Sequence, residues 1–147
     1  TPDKKNAMFL SGMDIKLKDD HPDYAALYMG NFIFGQGFLN SRLATRIRQK
    51  EGISYGVGSF LSAGALDDKG SFGSYAIYNP ENKDKLMTAY KEELTKWVNE
   101  GITQEELDAA KTGVLQSRQT SRASDGQLAG KINNNFGTHY AVRQSNG

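Results

Sequence analysis

Two segments of alternating character constrain this chain more than anything else in it. From Ser54 to Ser62, Tyr55, Val57, Ser59 and Leu61 share one parity. From Ser71 to Tyr78, Tyr75 and Ile77 oppose Phe72, Ala76 and Tyr78. Successive side chains of a strand point to opposite faces, so each segment reads as a half-buried strand. The polar connection Gly64-Ala65-Leu66-Asp67-Asp68-Lys69-Gly70 returns the chain and makes the pair an antiparallel hairpin. Glycines at 56, 58 and 73 are unusual inside strands and predict bulges or the close approach of another backbone.

Helical patterns flank the hairpin. Ala7-Met8-Phe9-Leu10 reads as a first strand, and Ile15 and Leu17 either extend it or form a second. Pro22 and the acids around it open a helix carrying Tyr24, Leu27, Tyr28 and Phe32, which stops at Gly35-Gln36-Gly37. Asn40 or Ser41 caps the next, with Leu43 and Ile47 on one face and Arg42, Arg46 and Lys50 on the other, and Gly52 ends it. Asn79-Pro80 starts a long helix striped by Leu86, Tyr90, Leu94 and Trp97 and closed by Gly101. Thr103-Gln104-Glu105-Glu106 is a capping box for a helix carrying Leu107, Ala110, Val114 and Leu115, which extends toward Gly130. The order β-α-α-β-β-α-α-α predicts a single α+β domain over residues 1–147, an antiparallel sheet with helices packed on one face.

Composition removes several function classes. Lys+Arg is 18 against 17 for Asp+Glu, so the net charge of +1 argues against a dedicated nucleic-acid binder. Without cysteine there is no disulfide, thiol nucleophile or Cys-ligated zinc. The two histidines, His21 and His139, have no histidine at i+4 and read as surface or capping residues. Gly35-Gln36-Gly37 lacks the Gly-Lys-Ser/Thr ending of a phosphate loop and follows a helix, so it reads as a helix C-cap and turn. Arg42, Arg46, Arg48 and Lys50 read as a solvated basic face, which the acid-rich stretch 81–110 could offset. No serine lies in a Gly-x-Ser-x-Gly setting, and no apolar run approaches the ~18 residues of a membrane span. The ends, Thr1-Pro2-Asp3 and Ser145-Asn146-Gly147, read as those of a segment of a longer protein. Absence of cysteine suits a bacterial periplasmic or secreted protein, and many cytosolic ones as well. Taken alone, these residues compose no complete catalytic constellation.

Residues 35–57 read Gly-Gln-Gly-Phe-Leu-Asn-Ser-Arg-Leu-Ala-Thr-Arg-Ile-Arg-Gln-Lys-Glu-Gly-Ile-Ser-Tyr-Gly-Val. This resembles the C-terminal half of the pitrilysin/insulinase family of zinc peptidases, which includes the mitochondrial processing peptidases. That half carries a Gly-rich turn, then Ser-Arg-Leu, then Arg-Glu/Gln-Lys-x-Gly-Leu-x-Tyr. Asp23-Tyr24-Ala25-Ala26-Leu27, Asn79-Pro80-Glu81, Gly101 to Leu107 and Ala110-Lys111 agree in order and spacing, so the resemblance covers roughly residues 7–122.

The resemblance implies two similar α+β halves around a closed chamber. The N-terminal half would supply zinc through an inverted His-x-x-Glu-His motif and a distant glutamate, with zinc activating a water and the motif's glutamate acting as general base. The C-terminal half would supply an arginine and a tyrosine seven residues apart, matched here by Arg48 and Tyr55. Without the resemblance, Arg48 reads as a surface ion-pair partner and Tyr55 as a core residue. No His-x-x-Glu-His occurs in this chain, so it is expected to hold no zinc through the family's ligands and to hydrolyse no peptide alone. Its expected partners are a zinc-binding peptidase half, in the same chain or a separate subunit, and an extended peptide substrate. The family also includes members that lost zinc and act as scaffold subunits, and this segment is compatible with either kind.

Overall fold

The computed structural model describes residues 5–122. Three antiparallel strands form one sheet in the order β1-β3-β2: β1 is Ala7–Ile15, β2 is Ser54–Ser62 and β3 is Gly70–Tyr78. The hairpin expected from alternation is the β2–β3 pair, and β1 is one continuous strand through Ile15 rather than two. Leu17 lies just beyond it, buried, where Lys18 forms a lone bridge to Gly64.

Helix α1, Tyr24–Asn31, runs on into a π-helical turn, Phe32–Gln36. Asp23 is the cap residue, with no side-chain cap bond; His21, on the surface just before it, accepts the Asp23 N–H through Nδ1 at 3.1 Å. A second helix covers residues 42–50 and is π-wound over Ala44–Lys50. Of the two candidate caps for it, Ser41 serves, its hydroxyl accepting the Ala44 N–H at 3.3 Å. After the sheet, Asn79 accepts the Glu81 N–H and Pro80 starts a 3-10 turn that leads into α2, Lys83–Glu100. Helix α3, Gln104–Arg122, ends the described residues. The stretch toward Gly130 and His139 lie outside them. No helix among the described residues is long and apolar enough to cross a membrane.

The helices of the described residues thus lie to one side of the sheet, with α3 packed on α1 and its π-helical turn, the α+β arrangement expected. The core sits between the layers: Phe34 from the π-helical turn after α1, Leu43 and Ile47 from the helix over 42–50, Leu86 and Tyr90 from α2, and Ala76 and Tyr78 from β3. Burying each of the large aliphatic side chains contributes roughly 1.5–3 kcal/mol. Phe34 and Trp97 stack at 4.9 Å between ring centroids, and Phe9 meets Tyr90 edge-on at the same distance. The sheet's other face is open, with Met8, Leu10, Phe60, Tyr75 and Ile77 exposed. Both uses expected of the strand glycines occur: Gly56 sits at a bulge of β2, and a Cβ on Gly73 would lie 2.5 Å from the main-chain oxygen of Ser11 on β1. The Phe60 ring lies over Gly73 and the Tyr75 ring over Gly58, so that cross-strand aromatics fill the space a Cβ would take.

One strand assignment needs correction. Parity puts Tyr55 on the face of Val57, Ser59 and Leu61, and those three do turn toward the helices. The register shifts between Ser54 and Gly56, however, and the extra residue of this bulge turns Tyr55 out, leaving it 62% exposed.

Long-range ties fix the helices. The expected capping box forms: the Thr103 N–H donates to Glu106 at 2.8 Å, and the Glu106 N–H donates to the Thr103 hydroxyl at 3.2 Å. The same Glu106 carboxylate receives a fork from Arg42, Nε at 2.6 Å and Nη2 at 2.7 Å. The Arg42 guanidinium, helped by Thr103 and opposed by burial, holds the Glu106 carboxyl down at about 2, against an ordinary 4.5. A group depressed on folding contributes stability above its unfolded value and loses it as pH falls toward the folded one. Glu106→Gln should therefore cost about 1–3 kcal/mol at neutral pH in urea unfolding. The gap from the parent should close between pH 4.5 and 2; an equal gap at both ends would refute the Arg42 tie.

At Gly35 helix and sheet meet without room for a Cβ. A Cβ there would lie 2.5 Å from both the main-chain nitrogen and the hydroxyl of Ser59 on β2. Because a backbone atom blocks it, Gly35→Ala must push α1 off the sheet. The expected loss is about 1–3 kcal/mol, read as a lower melting temperature.

Candidate functional site

The geometry of the site begins at Gly52, whose φ of 63° is open to glycine and strained for other residues. It turns the chain from the helix over 42–50 straight into β2. Ile53 is buried in the core, its N–H donating to the Ile47 carbonyl at 3.2 Å, so helix end and strand start are held together. The Ser54 hydroxyl lies 2.9 Å from the Gly56 carbonyl and 2.8 Å from that of Ile77, bracing the bulge from inside. Tyr55 projects from that braced bulge.

Three arginines leave the helix over 42–50, and the fold treats them differently. Arg42 is tied to Glu106 and to the Gly101 carbonyl. Arg46 reaches Glu92 of α2 at 2.6 Å and Glu51 at 3.3 Å. Acids of the 81–110 stretch thus take up part of the basic cluster, which is not a uniformly solvated face. Arg48 is exposed and has no ion pair or hydrogen bond among the described residues. The π winding over Ala44–Lys50 adds a residue to the turn and changes the angular spacing along the helix; such wide turns recur at functional sites.

Arg48 and Tyr55 line one open cavity of about 340 Å³. Its floor is β2 at Gly56, Val57 and Ser59, and its sides include Ala44, Gly35, Gln36 and the Tyr75 ring. Among the described residues, neither the surface ion pair nor the core packing that a reading without the resemblance gives these two residues is present. The cavity has one formal charge, Arg48, and no carboxylate among its lining residues. A guanidinium offers only donors, and a phenol can donate or accept, so the arrangement favours a ligand rich in acceptor oxygens.

Behind the cavity lies a polar network that sequence reasoning missed. Asn31 is 1% exposed. Its Oδ1 accepts from the Ser59 hydroxyl at 2.7 Å, and its Nδ2 donates to Gln36 Oε1 at 2.9 Å. The glycines around Gln36 read locally as punctuation, and only the contact of Gly35 with Ser59 shows why that turn sits against the sheet. Among the described residues no group of three or more His, Asp or Glu could hold a metal ion. The donor set of the described residues does not fit zinc, and no chemical step is assigned to a metal on them.

Residues 1–114 match the family model of the peptidase M16 inactive domain. An uncharacterized zinc protease of Rickettsia felis is 43% identical over 83 residues, 54% of this chain and 18% of that protein. The non-peptidase homolog YmxG of Helicobacter pylori is 26% identical over 138 residues, 94% of this chain and 31% of that protein. The crystal structure of the peptidase M16 inactive domain from Pseudomonas fluorescens superposes with a TM-score of 0.71 at 30% identity, over 86% of this chain and 29% of that one. The chain spans less than a third of the length of each of these relatives. A family match over most of the sequence agrees with the resemblance carried by residues 35–57: this chain belongs to the peptidase M16 inactive domain family.

Proposed function

We propose that this domain binds extended peptides for a zinc metalloendopeptidase whose zinc and general base are supplied by another part of the longer protein. The observation that carries the reading is the convergence of Arg48 and Tyr55 on one cavity, an arginine free of any partner among the described residues beside an outturned tyrosine. Arg48 would bind a substrate carbonyl or carboxylate through its forked donors. The Tyr55 hydroxyl would donate to a peptide carbonyl as that oxygen gains negative charge. β2 is an edge of the sheet among the described residues, and Tyr55 sits on it. An extended peptide pairing along such an edge gains main-chain hydrogen bonds while presenting its carbonyls to the cavity. The partner is a zinc-bearing peptidase half, consistent with the zinc-protease name of the Rickettsia felis relative.

A second reading is a zinc-free scaffold or peptide-binding subunit of a larger complex. The name of the Helicobacter pylori relative, a non-peptidase homolog aligned over 94% of this chain, favours it. The reading frame upstream separates the two: an inverted His-x-x-Glu-His motif supports the peptidase, and its absence supports the scaffold.

In the full-length protein, Arg48→Ala should lower kcat/KM for an extended peptide by about 10–100-fold, the loss expected for a charged hydrogen bond. Tyr55→Phe should lower kcat by about 100-fold with little change in KM, because its donor acts as charge develops. If both variants turn over peptide like the parent protein, the pair has no role in substrate handling.

A further inference from the structure

Gln36 has no part in the pair just described, yet it lines the same cavity and is held in one orientation from behind. We propose that Gln36 is a third substrate-contacting residue, one whose carboxamide donates to a carbonyl or carboxylate oxygen of the bound peptide. This rests on the peptide-binding reading of the cavity and adds to it a specificity-determining donor.

The buried amide of Asn31 imposes the orientation. At 1% exposure, its oxygen and its NH2 both require partners. The oxygen is committed to the Ser59 hydroxyl at 2.7 Å, so the NH2 faces Gln36 and must meet an acceptor. Gln36 supplies that acceptor through Oε1 at 2.9 Å. With its oxygen turned inward, its own NH2 is turned away from Asn31 and has no partner among the described residues, on a residue that is itself exposed. Ser59 is held against the π-helical turn at Gly35, so the relay Ser59–Asn31–Gln36 is anchored where no Cβ fits between helix and sheet. The cavity therefore offers the two free N–H donors of Gln36, the guanidinium of Arg48 and the phenol of Tyr55, with no carboxylate among the described lining residues to compete. Such a set recognises acceptor oxygens and disfavours lysine or arginine side chains.

The relay also gives a discriminating substitution. Gln36→Glu keeps an oxygen for Asn31 and so keeps the relay, while it removes both free donors and sets a negative charge in the cavity. Binding of a labelled, unstructured peptide of about ten residues to the full-length protein, followed by fluorescence anisotropy, reads the effect without requiring turnover. The peptide is used with a free C-terminal carboxylate and, separately, amidated. The expected result is a Kd for Gln36→Glu raised at least about tenfold with the melting temperature unchanged. A loss confined to the free-acid peptide assigns the donor to the terminal carboxylate, and an equal loss on both assigns it to an internal carbonyl. Gln36→Ala, which opens Asn31 to cavity water, should weaken binding likewise and carries the test if the glutamate variant folds poorly. Parent-like binding by the Gln36 variants while Arg48→Ala binds weakly would overturn the donor role of Gln36 and leave the cavity reading standing. Parent-like binding by Arg48→Ala would overturn the cavity reading itself.

Discussion

The contact between Gly35 and Ser59 is the constraint on which the rest of the site depends. No Cβ fits between the π-helical end of α1 and β2, so helix and strand sit as close as two backbones allow. That closeness lets the Ser59 hydroxyl reach Asn31 and brings Gln36 beside the strand that carries Tyr55. Polar groups buried at such a seam must be satisfied within it, because water is excluded. The Ser59–Asn31–Gln36 chain is the result, and it fixes the back wall of the cavity.

Charge is distributed by the same logic. Globally the chain is almost neutral, yet one short helix concentrates three arginines. Two are tied to acids on α2 and α3, where they bind the helical layer together. Forked pairing of a partly buried carboxylate is worth more than a surface ion pair, and Glu106 adds the cap of α3 to the same interaction. The third arginine faces the cavity, where no acid among the described residues neutralises it. A domain without a metal-ligand cluster among its described residues can therefore still present a polarised, donor-rich surface.

Much of this was legible in the residue order. Alternation in 54–62 and 71–78 marked the hairpin, Thr103 to Glu106 marked a helix start, and Gly52 marked the sharp turn between Arg48 and Tyr55. Each of these signals is local, carried by neighbours within a few residues. The outward turn of Tyr55 was hidden because a bulge inserts a residue into the count and reverses parity. Arg42 and Arg46 looked alike with Arg48 because their partners lie far along the chain. Gln36 looked like part of a turn because its role is set by Asn31 and Ser59, one of them on another element.

By itself, then, the sequence determined the α+β class, the hairpin, the caps and the family, since periodicity, capping chemistry and motif order are properties of short stretches. Only the tertiary structure decided which arginine has no partner among the described residues, which way Tyr55 points and how Gln36 is oriented. Those outcomes depend on packing and hydrogen-bond satisfaction between segments brought together by folding, and no local pattern encodes them.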